Sequence, residues 1–84
     1  MLIYKTEPEY TAEAKAAKVQ GPVVLNLIVN QQGLPENVRV VRSLNLGLDN
    51  NAIAGVRQYR FRPAIVNGRP IQKSVNVEVQ YRLQ

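Results

Sequence analysis

Three segments of the chain have the alternation of apolar and polar residues that is typical of β-strands. Residues 23–30 carry four apolar side chains at alternate positions on one face and two more on the other. Apolar residues on both faces indicate a strand in the middle of a sheet. Residues 37–43 and residues 74–83 are the other two segments, and the last one alternates without interruption. The pattern predicts three strands, with residues 23–30 at the centre.

A short helix is predicted before the first of these strands, over residues 11–21, which are rich in alanine. Thr11 is suited to be its N-cap because its hydroxyl can accept a hydrogen bond from a backbone N–H of the first turn. Lys18 falls in the last turn, where the helix dipole favours a basic side chain. Gly21 is placed to end the helix.

A second helix is predicted within residues 44–59, between the second and third strands. Asp49 fits its first turn, where an acidic side chain is favoured. Gly55 lowers helix propensity by about 1 kcal/mol relative to Ala, and its presence predicts a close contact between the helix and the sheet. Apolar residues recur there at helical spacing, at Leu48, Ala52, Val56 and Tyr59.

The pair Asn67-Gly68 is a strong signal for a two-residue β-hairpin turn. The elements then follow the order arm, helix, strand, strand, helix, hairpin, strand. A right-handed crossover through the second helix makes the last strand antiparallel to the first. We therefore expect an α+β fold: a three-stranded antiparallel sheet of order 2-1-3, with two helices on one face and the last strand at an edge. Residues 1–84 are expected to form one domain, with an N-terminal arm at 1–9 and a globular core at 10–84.

The segment Tyr59-Arg60-Phe61-Arg62 alternates aromatic and basic residues and can be interpreted in two ways. Exposed rings with adjacent arginines would suit base stacking in a nucleic-acid-binding protein. In an extended segment the two rings instead lie on one side, where they can close the core. The second interpretation is favoured, because the other aromatic residues form no stacking cluster; they are Tyr4, Tyr10 and Tyr81.

The composition argues against an enzyme or a metal centre. The 84 residues include no Cys and no His, so a zinc site and the usual nucleophile–base pairs are disfavoured. We expect no catalytic residue, no metal ligand and no cofactor. The six acidic residues are scattered along the chain, at Glu7, Glu9, Glu13, Glu36, Asp49 and Glu78.

The net charge of +5 arises from eleven basic residues against six acidic ones. Such a balance favours an acidic partner, such as nucleic acid, anionic lipid or an acidic protein surface. The basic residues are spread along the chain, however, which is typical of a solvated surface. The longest apolar run, residues 23–29, is shorter than the roughly 20 residues that a transmembrane helix needs. The opening segment "MLIYKTEPEY" is typical of a domain taken from a longer protein.

Taken in order, these segments resemble the TonB C-terminal domain family. "EPEY" followed by an Ala-rich helix, then "GPVVLNLIVNQQGLPENVRVVRS", is similar to the start of the family pattern. "LDNNAIAGVRQYRFRPAIVNGRPI" resembles its second helix and the aromatic-x-aromatic-x-Pro-Ala and Gly-x-Pro signature that follows. "VNVEVQYRL" resembles its last strand. Each piece alone is common among proteins, whereas the ordered series covers nearly the whole chain.

The resemblance implies a function in nutrient uptake across the envelope of a Gram-negative bacterium. Such domains end a longer chain that has an inner-membrane anchor, coupled to a proton-driven motor, and a Pro-rich linker. The domain lies in the periplasm and binds the TonB box, a short extended segment of an outer-membrane transporter. The force that it transmits opens the transporter for siderophores or vitamin B12. The resemblance implies neither an enzyme nor a cofactor.

The last strand has the properties of an edge that could accept an extended peptide by β-augmentation. It is long and has no proline, so its backbone donors and acceptors can pair with an added strand. The outward Glu78 and Arg82 would discourage indiscriminate pairing. Alternatively, the N-terminal arm or a second copy of the chain covers this edge, the latter giving a homodimer by strand exchange. The candidate residues are Ser74, Val75, Asn76, Val77, Glu78, Val79, Gln80, Tyr81 and Arg82.

A second candidate contact precedes the first helix, where the resemblance implies another contact with the TonB box. Glu7 and Glu9 replace neutral amides of the family's Gln-Pro-Gln-Tyr-Pro motif, which predicts a partner with basic residues near its box. Thr11 replaces the second Pro of that motif and can still begin the helix by capping. The candidate residues are Glu7, Pro8, Glu9, Tyr10 and Thr11.

Two other protein-binding or nucleic-acid-binding hypotheses remain open at this point. A similar domain could serve a TolA-like envelope assembly or a signalling chain, in which case its partner would not be a transporter. A basic nucleic-acid-binding domain is the other alternative, and a steep salt dependence of DNA or RNA binding would support it. An enzyme is the least favoured class.

Overall fold

A computed structural model of the chain describes residues 2–83. Two helices and seven strands occur within that range. In chain order they are β1 (Leu2–Tyr4), α1 (Ala12–Ala16), β2 (Gly21–Val29), β3 (Pro35–Arg42), α2 (Leu46–Val56), β4 (Arg60–Phe61), β5 (Ala64–Val66), β6 (Arg69–Ile71) and β7 (Lys73–Tyr81).

The main sheet has the order β3-β2-β7, and both pairings are antiparallel. The predicted α+β fold with a three-stranded sheet of order 2-1-3 is therefore confirmed, with the most apolar strand in the middle. β2 and β7 pair through nine consecutive residues, from Gly21 opposite Tyr81 to Val29 opposite Lys73. The pairing of β2 with β3 has two register irregularities. The strand ends differ from the predicted ones by one or two residues, which is the usual uncertainty of such boundaries.

One face of the sheet forms the core with both helices. The inner side chains of β2 are at most 4% exposed, and α1 adds Ala14. α2 contributes Leu48, Ala52 and Val56, all at most 2% exposed, so the predicted placement of two helices on one face is confirmed. Asn26 lies on the opposite face of β2, where its amide donates hydrogen bonds to the Ser74 hydroxyl and the Asn76 side chain.

The first helix is shorter than predicted. Thr11 is its N-cap, as expected, and its hydroxyl accepts a hydrogen bond from the Ala14 N–H at 3.1 Å. The helix ends at Ala16, because Lys18 adopts a left-handed conformation with φ of 57° and the Val19 N–H returns to the Ala14 carbonyl. This arrangement is a Schellman cap. The prediction that Gly21 ends the helix was wrong, since that residue already belongs to β2.

The second helix begins at the N-cap Asn45, whose side chain accepts a hydrogen bond from the Leu48 N–H at 3.2 Å. Asp49 lies in the first turn, as predicted, and is 5% exposed. Its buried carboxylate accepts hydrogen bonds from the Leu44 and Asn45 N–H groups, at 3.0 and 3.3 Å, and from the Ser43 hydroxyl. The Asp49 carboxylate therefore stabilises the turn between β3 and α2.

The glycine in the middle of α2 does not face the sheet, contrary to the prediction. A Cβ atom on Gly55 would lie 3.1 Å from the Thr6 hydroxyl oxygen, which belongs to the N-terminal arm. The same hydroxyl donates a hydrogen bond to the Gly55 carbonyl at 3.3 Å. The small residue therefore allows the arm, rather than the sheet, to approach the helix closely.

The aromatic–basic segment after α2 lies in the core, which confirms the favoured interpretation. Tyr59 and Phe61 are 5% and 7% exposed, and their ring centroids are 6.2 Å apart. Arg60 and Arg62 are exposed on the other side. The rings are thus unavailable as a stacking platform for bases.

The turn between β2 and β3 fixes the start of the segment that leads to the hairpin. Gly33 has φ of +83°, and its carbonyl accepts a hydrogen bond from the Phe61 N–H at 2.9 Å. The Asn30 side chain closes the turn by accepting hydrogen bonds from two of its N–H groups. Beyond Phe61, strands β5 and β6 form the predicted hairpin, with Asn67 and Gly68 both at positive φ in its two-residue turn.

Candidate functional site

The last strand has an unpaired edge. Within residues 2–83, β7 pairs with β2 on one side and with no strand on the other. The N-terminal arm could have covered this edge, but β1 instead pairs with β4, with Leu2 opposite Phe61 and Tyr4 opposite Arg60. The backbone donors and acceptors on the outer side of β7 are therefore not used by another strand of the described chain.

The side chains of β7 become progressively more buried along the strand. Val75 and Val77 are only partly buried, whereas Val79 and Tyr81 are 4% and 1% exposed. The residues between them, on the opposite face, are exposed. Any contact of Val79 or Tyr81 with a partner would consequently have to be made by the main chain.

A groove of about 660 Å³ lies beside the first half of β7. It separates this strand from the connection between β4 and β5. The lining carries two charged side chains, Arg62 and Lys73, and both are basic. Its apolar residues are Val29, Phe61, Pro63, Ala64, Val75 and Val77.

The second half of β7 lies beside the N-terminal arm. A smaller pocket, about 230 Å³, is bounded by Glu7 and Pro8 on one side and by Glu78 and Gln80 on the other. The structure thus brings the two predicted contact segments together at this end of the strand. Lys5 also lines the pocket, so its charged groups are of both signs.

The rest of the pre-helix segment is fixed by internal contacts. The Glu9 carbonyl accepts a hydrogen bond from the Asn51 side chain at 2.9 Å. The Tyr10 hydroxyl donates to the Val19 carbonyl at 2.8 Å, and its ring meets the Tyr81 ring edge-on at a centroid distance of 5.2 Å. Thr11 is occupied as the helix cap. These contacts hold the pre-helix segment in place beside β7. Of its five candidate residues, Glu7 and Pro8 line the smaller pocket together with the strand.

Sequence reasoning included one side of the groove among the candidate site residues, at Val75, Asn76 and Val77, but not the rest of its lining. Phe61 was assigned to the core, Pro63 and Ala64 were noted only as part of the family signature, and Lys73 was assigned to no site. The sequence nevertheless indicated that Lys73 belongs with this site. In a strand, Lys73 lies two residues before Val75 and four before Val77, so its side chain lies on the same face as theirs. The opposite wall depends on tertiary packing and has no local signal.

Two further observations concern membrane and metal binding. Neither helix within residues 2–83 has both the length and the hydrophobicity that a membrane span requires. In the same part of the chain, no three acidic, His or Cys side chains come together as metal ligands would.

Tyr81 connects the edge strand to the core and leads to a pH prediction. Its hydroxyl donates a hydrogen bond to the Leu48 carbonyl at 3.2 Å, and burial, assisted by nearby groups such as Tyr59, raises its pKa from 10.0 to about 12. Between these values the unfolded chain loses the proton while the native state keeps it. Stability present below pH 10 should therefore fall as the pH rises towards 12, by about 1.4 kcal/mol per pH unit.

This prediction is checked by urea unfolding at a series of pH values from 8 to 12. Tyr81→Phe removes the titrating group while keeping the ring, so its stability should fall less steeply over this range. The decline left in the variant is assigned to Tyr59, whose pKa is also raised, first by burial. Identical slopes for the wild type and the variant would contradict the role given to Tyr81.

Comparison with known proteins identifies the family. The family model described as Gram-negative bacterial TonB protein C-terminal matches residues 6–83. Protein TonB of Xanthomonas campestris pv. campestris is 36% identical over 77 residues, which cover 90% of this chain and 34% of that protein. Protein TonB of Vibrio cholerae is 22% identical over 81 residues, which cover 95% of this chain and 33% of that protein. The chain thus spans about a third of the length of these relatives.

Solved structures agree with this assignment. The solution NMR structure of the Pseudomonas aeruginosa TonB CTD superposes with a TM-score of 0.80 at 16% identity, covering 100% of this chain and 86% of that one. The tonb2 protein of Vibrio anguillarum gives a TM-score of 0.62 at 26% identity, covering 95% of this chain and 79% of that one. The first likeness concerns the fold alone. Because the family model matches residues 6–83, which is nearly the whole of this chain, the chain belongs to the family of TonB protein C-terminal domains of Gram-negative bacteria.

Proposed function

We propose that this domain is the periplasmic, peptide-binding end of a TonB-type energy transducer. In this proposal it binds the TonB box of outer-membrane transporters at the free edge of β7. It then transmits to them a force derived from the proton-motive force, for the uptake of nutrients such as siderophores or vitamin B12. The full-length protein would be anchored in the inner membrane and coupled there to a proton-driven motor.

The unpaired edge of β7 is the observation that carries this proposal. An extended peptide gains main-chain hydrogen bonds by adding to such an edge, and each contributes roughly 0.5–1.5 kcal/mol net. A few such bonds correspond to binding of about micromolar to millimolar strength. Main-chain pairing depends little on side chains, which suits one transducer that serves several transporters.

The arm supports the same proposal because its strand β1 pairs with β4 and not with β7. Thr6 and Asn51 hold the arm against α2 through hydrogen bonds, while β1 pairs with β4. Glu7 and Pro8 lie beside the second half of β7, where they would contact a peptide bound along that part of the strand.

The direct test is an NMR titration of the ¹⁵N-labelled domain with peptides that carry TonB-box segments of transporters from the same genome. We expect shifts concentrated in the β7 amides and in residues 7–10. The matched control is the same peptide with N-methyl groups on alternate backbone amides, namely those that would face β7. Methylation removes these hydrogen-bond donors and keeps the side chains of the peptide. The methylated peptide should bind at least tenfold more weakly, because several main-chain hydrogen bonds are lost.

Two outcomes would contradict the proposal. One is the absence of any shift at millimolar peptide concentration, which would direct attention to a different partner or to a second copy of the chain at this edge. A sedimentation series over protein concentration identifies the second case. The other is equal binding of the methylated peptide, which would mean that recognition does not use main-chain pairing.

A further inference from the structure

The hairpin formed by β5 and β6 projects from the rest of the domain. Within residues 2–83 its two strands pair only with each other, and all residues from 65 to 74 are exposed. A two-stranded hairpin is at best marginally stable in water unless it packs on something else. The side chains of this hairpin therefore contribute little to the core, and its apolar residues need another explanation.

Large apolar side chains occupy both faces of this hairpin. Ile65, Val66 and Ile71 are 60%, 49% and 38% exposed, and they are three of the six large hydrophobic side chains that are exposed within residues 2–83. Ile65 lies opposite Pro70, and residues that pair across two strands share a face. Val66 and Ile71 lie on the other face, because side chains alternate along each strand. A flat partner surface would cover only one of these faces.

The net charge of the chain comes from the segment that contains the hairpin. No acidic residue occurs between Asp49 and Glu78. The residues outside this segment balance six basic against six acidic side chains, so the whole net charge of +5 lies within residues 50–77. The hairpin turn is followed by one of these basic residues and its last strand by another, and both are exposed. The basic residues of the segment are Arg57, Arg60, Arg62, Arg69 and Lys73.

The acidic residues lie mainly at the other end of the domain. β7 runs from the hairpin to Tyr81, a distance of roughly 26 Å, since a strand rises about 3.3 Å per residue. The pocket beside its second half contains two acidic side chains. Burial raises the pKa of Tyr81, and two further carboxylates add to this effect. These four residues are Glu7, Glu78, Asp49 and Glu9.

At the hairpin end of the sheet, an acidic side chain lies on β3. It is Glu36, which accepts a hydrogen bond from the Asn30 side chain at 3.0 Å. The basic residues of the hairpin segment outnumber it. The domain is thus electrostatically polarised, and the exposed apolar hairpin lies at its positive end.

We propose that this hairpin binds the surface of an anionic lipid bilayer. Basic residues near an anionic leaflet are attracted to it, and apolar side chains gain free energy by entering the boundary between headgroups and acyl chains. A bilayer surrounds an inserted hairpin, so it accepts apolar side chains on both faces at once. The outer edges of β5 and β6 have no strand partner within residues 2–83. Their backbone groups need water or headgroups, which limits the hairpin to the interface.

The test is cosedimentation of the chain with phosphatidylcholine vesicles that contain or lack phosphatidylglycerol. We expect binding to the anionic vesicles and about tenfold weaker binding, or less, to the neutral ones. Salt at about 0.5 M should weaken binding to the anionic vesicles, because it screens the attraction. Arg69→Gln should lower the affinity for these vesicles about fivefold, which corresponds to one basic residue lost near the surface.

The apolar contribution is tested by the double variant Ile65→Thr with Val66→Thr. Threonine is also β-branched, so the preference for a strand is kept. The affinity for anionic vesicles should fall about tenfold, because less apolar area enters the interface. The matched controls Val41→Thr and Arg39→Gln make the same chemical changes at exposed positions of β3. Both should stay within about twofold of the wild type, since they lie away from the hairpin.

Entry into the bilayer is measured separately with single-tryptophan variants. The chain contains no Trp, so the emission of Ile65→Trp reports on the hairpin alone. This emission should shift to the blue when anionic vesicles are added, because the indole leaves water, and brominated lipid should quench it. Val41→Trp should show neither change.

Three results would overturn the proposal. One is the absence of binding to anionic vesicles at low salt, which would favour an acidic protein that encloses the hairpin. Another is an equal loss of affinity in the hairpin variants and in the β3 controls, since it would indicate general attraction of a basic domain. The third is unchanged emission of Ile65→Trp on bound vesicles.

The same experiments distinguish this inference from the function proposed above and from a folding defect. Amide spectra of the hairpin variants should match the wild type outside residues 62–73, because the hairpin packs on no other strand of the described chain. Vesicle binding and peptide titration are separate measurements. Loss of peptide binding at β7 leaves the inference standing, and loss of vesicle binding leaves the proposed function standing.

Discussion

Gly33→Ala is expected to destabilise the domain by about 3 kcal/mol or more. Its φ of +83° disfavours any residue with a Cβ atom, at a cost of about 1–2 kcal/mol. The added Cβ would also lie 2.1 Å from the Phe61 carbonyl oxygen, which is far closer than atoms can approach. The backbone of β4 would have to move away, and the hydrogen bond from the Phe61 N–H to the Gly33 carbonyl would be strained or lost.

Gly68→Ala separates the cost of the positive φ from the cost of the steric clash with Phe61. Gly68 has a similar φ of +77°, but a Cβ atom there would meet nothing within 4 Å. Its replacement should cost only about 1–2 kcal/mol, the conformational part alone. Urea unfolding of both variants measures the difference. Equal losses would mean that the contact between Gly33 and Phe61 does not matter. In Gly33→Ala, amide shifts should also extend to residues 61–64, which form one wall of the groove.

The second large effect is expected for Leu25→Ala, at the centre of the middle strand. The Leu25 side chain is 0% exposed. Truncation of such a residue typically costs about 2–5 kcal/mol, which is the sum of the lost transfer free energy and the cost of the cavity left behind. A domain of this size has a total stability of about 4–12 kcal/mol. We therefore expect a much lower melting temperature, with a substantial unfolded fraction at 37 °C if the wild type lies near the lower limit.

Val41→Ala provides the comparison within the same sheet. Val41 is 56% exposed, so its truncation removes little buried area and should change the free energy of unfolding by less than about 0.5 kcal/mol. Calorimetric melting of both variants gives the two values. A loss in Val41→Ala as large as that in Leu25→Ala would indicate that the outer face is covered in solution, for example by a second copy of the chain.

The sheet could be predicted from the sequence because the alternation in its strands is locally complete. Apolar residues on both faces of residues 23–30 placed this strand in the middle, and the uninterrupted alternation within residues 74–83 identified the last strand, which the crossover placed at an edge. The hairpin turn was equally local, since Asn67 and Gly68 suit the positive φ values that it requires. In each of these cases, the residues that predict the element are the same few residues that form it.

Other features depend on contacts between distant parts of the chain. Lys18 ends the first helix at positive φ, although lysine carries no sequence signal for that conformation. Gly55 indicated a close approach but not which neighbour approaches, and that neighbour is Thr6. The groove likewise depends on the hydrogen bond between Phe61 and Gly33, which lie far apart in sequence. Its wall could therefore not be predicted, whereas the parity of Lys73 with the valines of β7 could have been noticed.

The uninterrupted register between β2 and β7 has a mechanical consequence. Tension along β7 runs parallel to both strands, so it loads their inter-strand hydrogen bonds in shear, all together instead of one after another. In the proposed function, the pull enters through the segment before α1, which meets β7 where the Tyr10 ring packs on Tyr81. β3, with its two register irregularities, lies on the far side of β2 and outside this path. The load on the bound partner would then pass into the domain through its most regular pairing, β2 with β7, while the less regular pairing of β2 with β3 carries little of it.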